Sequence, residues 1–204
     1  NPSQSPKAIF ISAYASSPLA ANYDYTLAGK EEELQAALTA ISKLTTGSVH
    51  VSVGKDSNSP FTGLKNIQLH NVSGPHPVGN VSTQISQIDP LNKGEVVWVI
   101  NPHDLLVIGE LLLTGNFNFS RTLALTGSQF ERPSYVSVVA GASISDVVAK
   151  NIIIDNTRII SGNVLSGTQV SEDDFLGYYD NQITAIPEGD DYEFFGWNKP
   201  VFNK

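Results

Sequence analysis

Val96-Val97-Trp98-Val99-Ile100-Asn101-Pro102-His103-Asp104-Leu105 reads as a strand that turns directly into a helix. The apolar run 96–100 is unbroken, as in a parallel strand buried on both faces, and Trp98 within it reads as core. Asn101 is placed to cap the helix. Pro102 fits the first helical position, where no amide hydrogen bond is lost, and Asp104 favours the positive end of the helix dipole. Leu105, Ile108 and Leu112 share one face, and Gly115 ends the helix.

Working back towards the start, the same alternation recurs. Ala8-Ile9-Phe10-Ile11-Ser12-Ala13 has strand length, with Pro6 before it and the polar turn Ser16-Ser17-Pro18 after it. A helix is expected over 31–44, where Leu34, Ala37, Leu38, Ile41 and Leu44 form one stripe. Glu31, Glu32 and Glu33 open it, Lys43 lies in its last turn and Gly47 stops it. Val49, Val51 and Val53 alternate with polar residues as a strand does, and Ile67 and Leu69 belong to another that ends near Val72. The order strand, helix, strand, strand, strand, helix is that of an open Rossmann-like α/β sheet.

Beyond Arg121 strands dominate, over 122–126 and 135–139, with Gly127 and Pro133 between them. Ser143 is placed to cap a short helix over 144–149, with Asp146 reaching back as a weak capping box. Residues 158–160 and 178–186 are further strands. Strand pair, short helix and more strands suggest a small β-grasp α+β unit. The expected division is 1–126, with 1–7 a linker, and 127–204, the boundary lying between Asn118 and Pro133.

Composition narrows the function. Lys and Arg number 12 against 20 Asp and Glu, a net charge of −8. Phosphate binding needs clustered cations, so a nucleic-acid binder and a polybasic membrane anchor are both disfavoured. The chain has no Cys, which excludes thiolate-held iron–sulfur clusters, zinc thiolates and a cysteine nucleophile within it. It also has no Met, not even at position 1, so a piece of a longer chain is expected. No signal peptide is visible. The most apolar helix-like run, 105–113, is interrupted by Glu110 and falls well short of the ~20 residues that cross a membrane. Three Asn-x-Ser triplets, at Asn71, Asn80 and Asn118, read as chance without a secretory signal.

Motifs for chemistry are mostly missing. The loop after the first strand, 14–19, lacks glycine, so no dinucleotide fingerprint is present, and no phosphate loop or Gly-x-Ser-x-Gly occurs. His50, His70, His76 and His103 form no helical metal pair, so no catalytic or metal-ligating residue is assigned. One stretch stands out, Ser73-Gly74-Pro75-His76-Pro77-Val78-Gly79. It reads either as a ligand-facing loop, with His76 donating to a carbonyl or phosphate, or as a rigid turn after a strand; Gly and Pro mark turns more often. The acidic clusters Glu172-Asp173-Asp174 and Glu188-Gly189-Asp190-Asp191 lack calcium-loop spacing and read as solvated loops. Tyr178, Tyr179, Tyr192, Phe194, Phe195 and Trp197 could stack a flat ring, but read more simply as core or interface.

Several stretches together resemble one family. They are Ala8-Ile9-Phe10-Ile11 with Pro18-Leu19-Ala20-Ala21, then Gly74-Pro75-His76-Pro77-Val78-Gly79 and Leu111-Leu112-Leu113-Thr114-Gly115. Gly141-Ala142-Ser143, the long string Arg158-Ile159-Ile160-Ser161-Gly162-Asn163-Val164-Leu165-Ser166-Gly167-Thr168 and Phe195-Gly196-Trp197 complete the set. The chain resembles, over 8–197, the A subunit of the bacterial sodium-translocating NADH:quinone oxidoreductase. The resemblance implies a Rossmann-like domain followed by a β-grasp domain of the soluble-ligand-binding (SLBB) type, related to the flavin-binding subunit of respiratory complex I. It implies a peripheral subunit, without a membrane span, on the cytoplasmic face of the bacterial inner membrane. The complex would have six subunits, and FMN, FAD and iron centres would sit in the partners, none bound by this chain. A quinone is the implied substrate, with His76 and the Gly74 and Gly79 amides as candidate ligands. Where the family leads one to expect a His-x-His-like stretch after Gly79, this chain has Ser82-Thr83-Gln84-Ile85-Ser86. The alternative is a docking scaffold without chemistry, a degenerate relative of a flavoprotein.

Overall fold

Two sheets carry the chain. The structure, a computed structural model, describes residues 4–149, 151–153, 156–190 and 194. The first sheet is built from β1 (Ala8–Ser12), β2 (Val49–Gly54), β3 (Gln68–Val72) and β4 (Val97–Val99), in the order β3-β2-β1-β4. All three pairings are parallel. The chain runs outward from β1 to β3, then returns to lay β4 on the other side of β1. The order therefore reverses at β1, the place where open α/β sheets hold their ligands.

Two elements of the first unit are short or weakly signalled in sequence, the one-turn α1 (Tyr23–Thr26) and α3 (Val81–Ile88). Helix α2 (Glu31–Ile41), extended by a short 3₁₀ turn, Ser42–Leu44, buries Leu34, Ala37, Leu38 and Ile41. These pack with Ile9, Ile11, Val49, Val51 and Val53 of the sheet, and with Leu105 of α4 (Pro102–Thr114), into one core. The start of α4 follows its sequence signals. The Asn101 Oδ1 accepts from the His103 amide at 3.0 Å, and Gly115 ends the helix at φ 75°. Where α2 and α4 cross, Gly109 lies against the α2 backbone so closely that a Cβ there would stand 1.9 Å from the Glu33 carbonyl oxygen.

The second sheet contains β5 (Ser120–Thr126), β6 (Ser134–Val139), β7 (Thr157–Ser161), β8 (Thr168–Val170) and β9 (Gln182–Pro187), ordered β6-β5-β9-β7-β8. Its first and last strands are central, adjacent and parallel, and the other pairings are antiparallel. With α5 (Ile144–Val148) packed through Ile144 and Val148 into its core, this is a β-grasp arrangement. The expected fold class, Rossmann-like α/β followed by β-grasp, is the one observed.

Several local expectations need correction. Strand β5, expected at the end of the first unit, pairs with β6 and β9, so the sheets part within 115–119 rather than after Thr126. Strand β4 is a sheet edge, so its apolar run is not buried on both faces: Trp98 is half-buried and Val99 is 51% exposed. Ser143 starts α5, but its hydroxyl meets the Ser145 hydroxyl and makes no capping bond. The last strand begins at Gln182, and Tyr178, Tyr179 and Phe194 are exposed rather than core. Tyr192, Phe195, Trp197 and Asp191 lie outside the described residues.

Candidate functional site

The reversal at β1 places three loops side by side: 13–17 after β1, the turn before α3, and Asn101 before α4. A cleft of about 830 Å³ opens there. The second unit closes one side with Asn163, Ser166 and Tyr179. The volume lies within the range of small-molecule sites, ~300–1,000 Å³.

His76 and Gly79 both line this cleft, together with Ser12, Ser16 and Tyr23. Gly74, the third residue singled out in sequence, is exposed, and it is absent from the lining. The loop is fastened tightly. The Gly79 amide donates to the Ser16 Oγ at 2.8 Å, and the His76 Nδ1 lies 3.2 Å from the same oxygen. The Ser12 hydroxyl bonds the Gly79 carbonyl at 3.0 Å. The Gln84 amide, buried in α3, donates to the Ser12 Oγ at 2.8 Å and to the Val78 carbonyl at 3.1 Å. A Cβ at Gly79 would stand 2.5 Å from the Ser16 nitrogen and 2.8 Å from the Tyr14 carbonyl, so only glycine fits. The Gly79 amide is thus engaged within the protein, which leaves the His76 ring as the polar side chain of the sequence-derived set on the cleft lining.

Sequence reasoning missed Ser16, Tyr23 and Gln84. Gln84 sits where the family pattern led to a His-x-His-like expectation. The Tyr23 hydroxyl accepts from the Asn181 Nδ2 at 3.0 Å, and burial pushes its pKa up to about 12, so it stays protonated. Burial also holds the Asp104 carboxyl above its usual range, against the Arg121 charge 3.7 Å away. Among the described residues no lysine or arginine lines the cleft, and Asp104 faces it. The start of α3, Asn80 to Ser82, lines the cleft as well, and no side chain caps that helix.

A family model for the NqrA second alpha/beta domain matches residues 1–117, and a model for the NQRA C-terminal domain, of SLBB type, matches residues 122–172. The chain belongs to the NqrA family. The NqrA protein of Neisseria meningitidis serogroup B, the A subunit of a Na(+)-translocating NADH-quinone reductase, is 39% identical over 98% of the chain. Its counterparts in Haemophilus influenzae and Histophilus somni are 38% and 36% identical over 96% and 98%. The chain spans about 45% of the length of these NqrA relatives. The NAD+-reducing NiFe-hydrogenase, solved in its H2-reduced and air-oxidized states, shares the fold, with a TM-score of 0.61 over 90% of this chain and 41% and 40% of its own. At 10% and 12% identity that likeness concerns the fold alone. Among the described residues no helix is long and apolar enough to cross a membrane, and no cluster of His, Asp and Glu is arranged to hold a metal.

Proposed function

We propose that the chain supplies a quinone-headgroup cleft to the NqrA component of a sodium-translocating NADH:quinone reductase. It works beside membrane-embedded partner subunits that carry the FMN, FAD and iron centres, on the cytoplasmic face, and holds no redox group of its own. The observation that carries this reading is the cleft at the strand reversal, free of Lys and Arg among the described residues and bearing hydrogen-bond donors, with His76 at its wall. In the tautomer on which this reading rests, the Ser16 hydroxyl donates to the His76 Nδ1. The imidazole then keeps its own proton on Nε2, where a quinone carbonyl can accept it. The protonated Tyr23 hydroxyl offers a second donor. The names of the relatives support the same substrate class.

Titration of the chain with a short-chain quinone, followed by Tyr and Trp fluorescence, tests this. Saturable binding is expected, weakened about tenfold in His76→Ala, the scale of one hydrogen bond of ~1.4 kcal/mol. Absence of saturable binding, or unchanged affinity in His76→Ala, would remove the quinone role. A docking scaffold would then be the better reading. The exposed side chains Leu112, Leu113, Phe117, Phe119 and Val139 around the end of α4 and the start of the second sheet favour that second reading.

A further inference from the structure

The second unit gives the cleft an aromatic ring. Tyr179 lines it beside Asn163 and Ser166, and is 71% exposed. Two other tyrosines share the lining, but both are half-buried against protein. Tyr23 has its ring centre 5.7 Å from that of His103, and Tyr14 lies beside Gly54, where a Cβ would stand 3.1 Å from the Tyr14 Cδ2. Tyr179 is the tyrosine of the three whose ring is mostly open to the cleft and solvent.

The open ring is nevertheless held in place. Tyr179 sits in the turn 177–180, which is fastened on each side. The hydroxyl of the buried Ser161 donates to the Asp180 Oδ2 at 2.5 Å and accepts from the Gly177 amide at 3.1 Å. The Asp180 amide closes the turn on the Gly177 carbonyl at 3.0 Å. The Arg121 guanidinium donates to the Tyr178 carbonyl and lies over the Tyr178 ring. Against that fixed ring Tyr179 stands edge-on, with centres 5.0 Å apart and planes at 85°. The next residue, Asn181, bonds the Tyr23 hydroxyl of the first unit at 3.0 Å. A tyrosine has only two side-chain torsions, so a ring already placed loses little freedom when a ligand covers it.

The electronics of the ring select what covers it. The face of a phenol ring is electron-rich. A quinone ring is flat, and its two carbonyls withdraw electrons from it, so the two faces attract in offset stacking. We propose that Tyr179 is the stacking platform of the cleft, its ring lying against one face of the quinone while the His76 side of the cleft meets a carbonyl edge. This rests on the quinone reading above and deepens it: the site is complete only when both units contribute, and it selects flat, electron-poor rings.

Duroquinone, a benzoquinone with a methyl group on every free ring carbon, is the probe, titrated into the full chain and followed by the NMR shift of its methyl protons. Saturable binding is expected, with the bound methyl signal displaced upfield by the ring current. Tyr179→Leu is expected to weaken binding about threefold or more and to shrink that displacement. Tyr179→Phe keeps the ring and is expected to preserve both. Tyr179 is exposed, so neither substitution disturbs a core. Unchanged affinity in Tyr179→Leu, with binding still weakened in His76→Ala, would overturn the stacking role and leave the quinone reading standing. Equal losses in Tyr179→Leu and Tyr179→Phe would overturn it as well, by moving the role to the hydroxyl. Absence of duroquinone binding to the native chain would overturn both.

Discussion

The Arg121 Nη2 lies 3.7 Å from the Asp104 Oδ1, and that contact ties the first strand of the β-grasp sheet to the first turn of α4. The same guanidinium donates to the Tyr178 carbonyl through Nη1 and stands 5.1 Å from the Tyr178 ring centre. Arg121 is thus a buried cation held by one carboxylate, one carbonyl and one aromatic face. Removing one partner of a buried pair leaves the other uncompensated, at a cost of about 3–5 kcal/mol. Arg121→Met is expected near the lower end of that range, because Asp104 keeps some solvent. Asp104→Asn is expected to cost less. Urea unfolding of both variants measures the order, and equal midpoints would show that the pair does not join the units.

The Gly79 contact with Ser16 predicts a site defect distinct from a folding defect. In Gly79→Ala the new methyl would meet backbone of the β1 loop at 2.5 Å, which no side-chain rotation relieves. The loop must move, and the Ser16–His76 geometry with it. Quinone affinity is expected to fall at least as far as in His76→Ala, whereas Gly74→Ala, at a position outside the lining, is expected to leave it unchanged. Parallel titrations of the two variants check this, and equal losses would show that Gly79 has no special place in the cleft.

Gly109 makes the opposite kind of prediction, one of stability alone. The α2–α4 crossing is close enough that a Cβ at 109 would stand 1.9 Å from the Glu33 carbonyl oxygen. Alanine is the better helix former, by about 0.8–1.0 kcal/mol. Here overpacking wins, and Gly109→Ala is expected to destabilise by about 1–3 kcal/mol. Thermal unfolding of the variant decides the sign, and a raised midpoint would show that the helices separate without cost.

The parts of this fold that are legible in sequence are those fixed by signals within a few residues. Asn101, Pro102 and Gly115 bound α4 because capping, ring geometry and a left-handed terminus are local effects. The helix α3 is not legible, because Ser82, Thr83, Gln84, Ser86 and Gln87 dilute its apolar stripe and its buried residue is Gln84. Its burial is offset by bonds to Ser12 and Val78, far away in sequence or hidden in the preceding turn. Strand β4 misleads for a related reason: apolar content does not reveal that a strand lies at an edge. At the site, His76 and Gly79 draw notice through their Pro and Gly neighbours. The Ser16 hydroxyl that holds both comes from 63 residues before Gly79, a pairing that only the parallel sheet creates.

Histidine burial gives the chain a stability that depends on pH. His103 falls from 6.5 to about 4 through burial and the Arg121 charge; burial and His70 lower His50, and burial lowers His70. His50 and His70 touch through Nδ1 and Nε2 at 2.9 Å. An imidazole whose folded pKa is depressed binds protons more readily in the unfolded chain. Its contribution is therefore fully present above the unfolded pKa, near 6.5, and is lost as pH falls towards the folded value, about 4 for His103. For His103 the loss over that window is about 3 kcal/mol. The raised Asp104 pKa opposes it in part, since that carboxyl takes up its proton earlier in the folded chain. The midpoint of urea unfolding is expected to fall between about pH 7 and pH 5 in the native sequence. In His103→Gln, which leaves no proton to be gained at that position, the fall is expected to be shallower. Parallel slopes for the two proteins would show that His103 is no less basic in the folded chain than in the unfolded one.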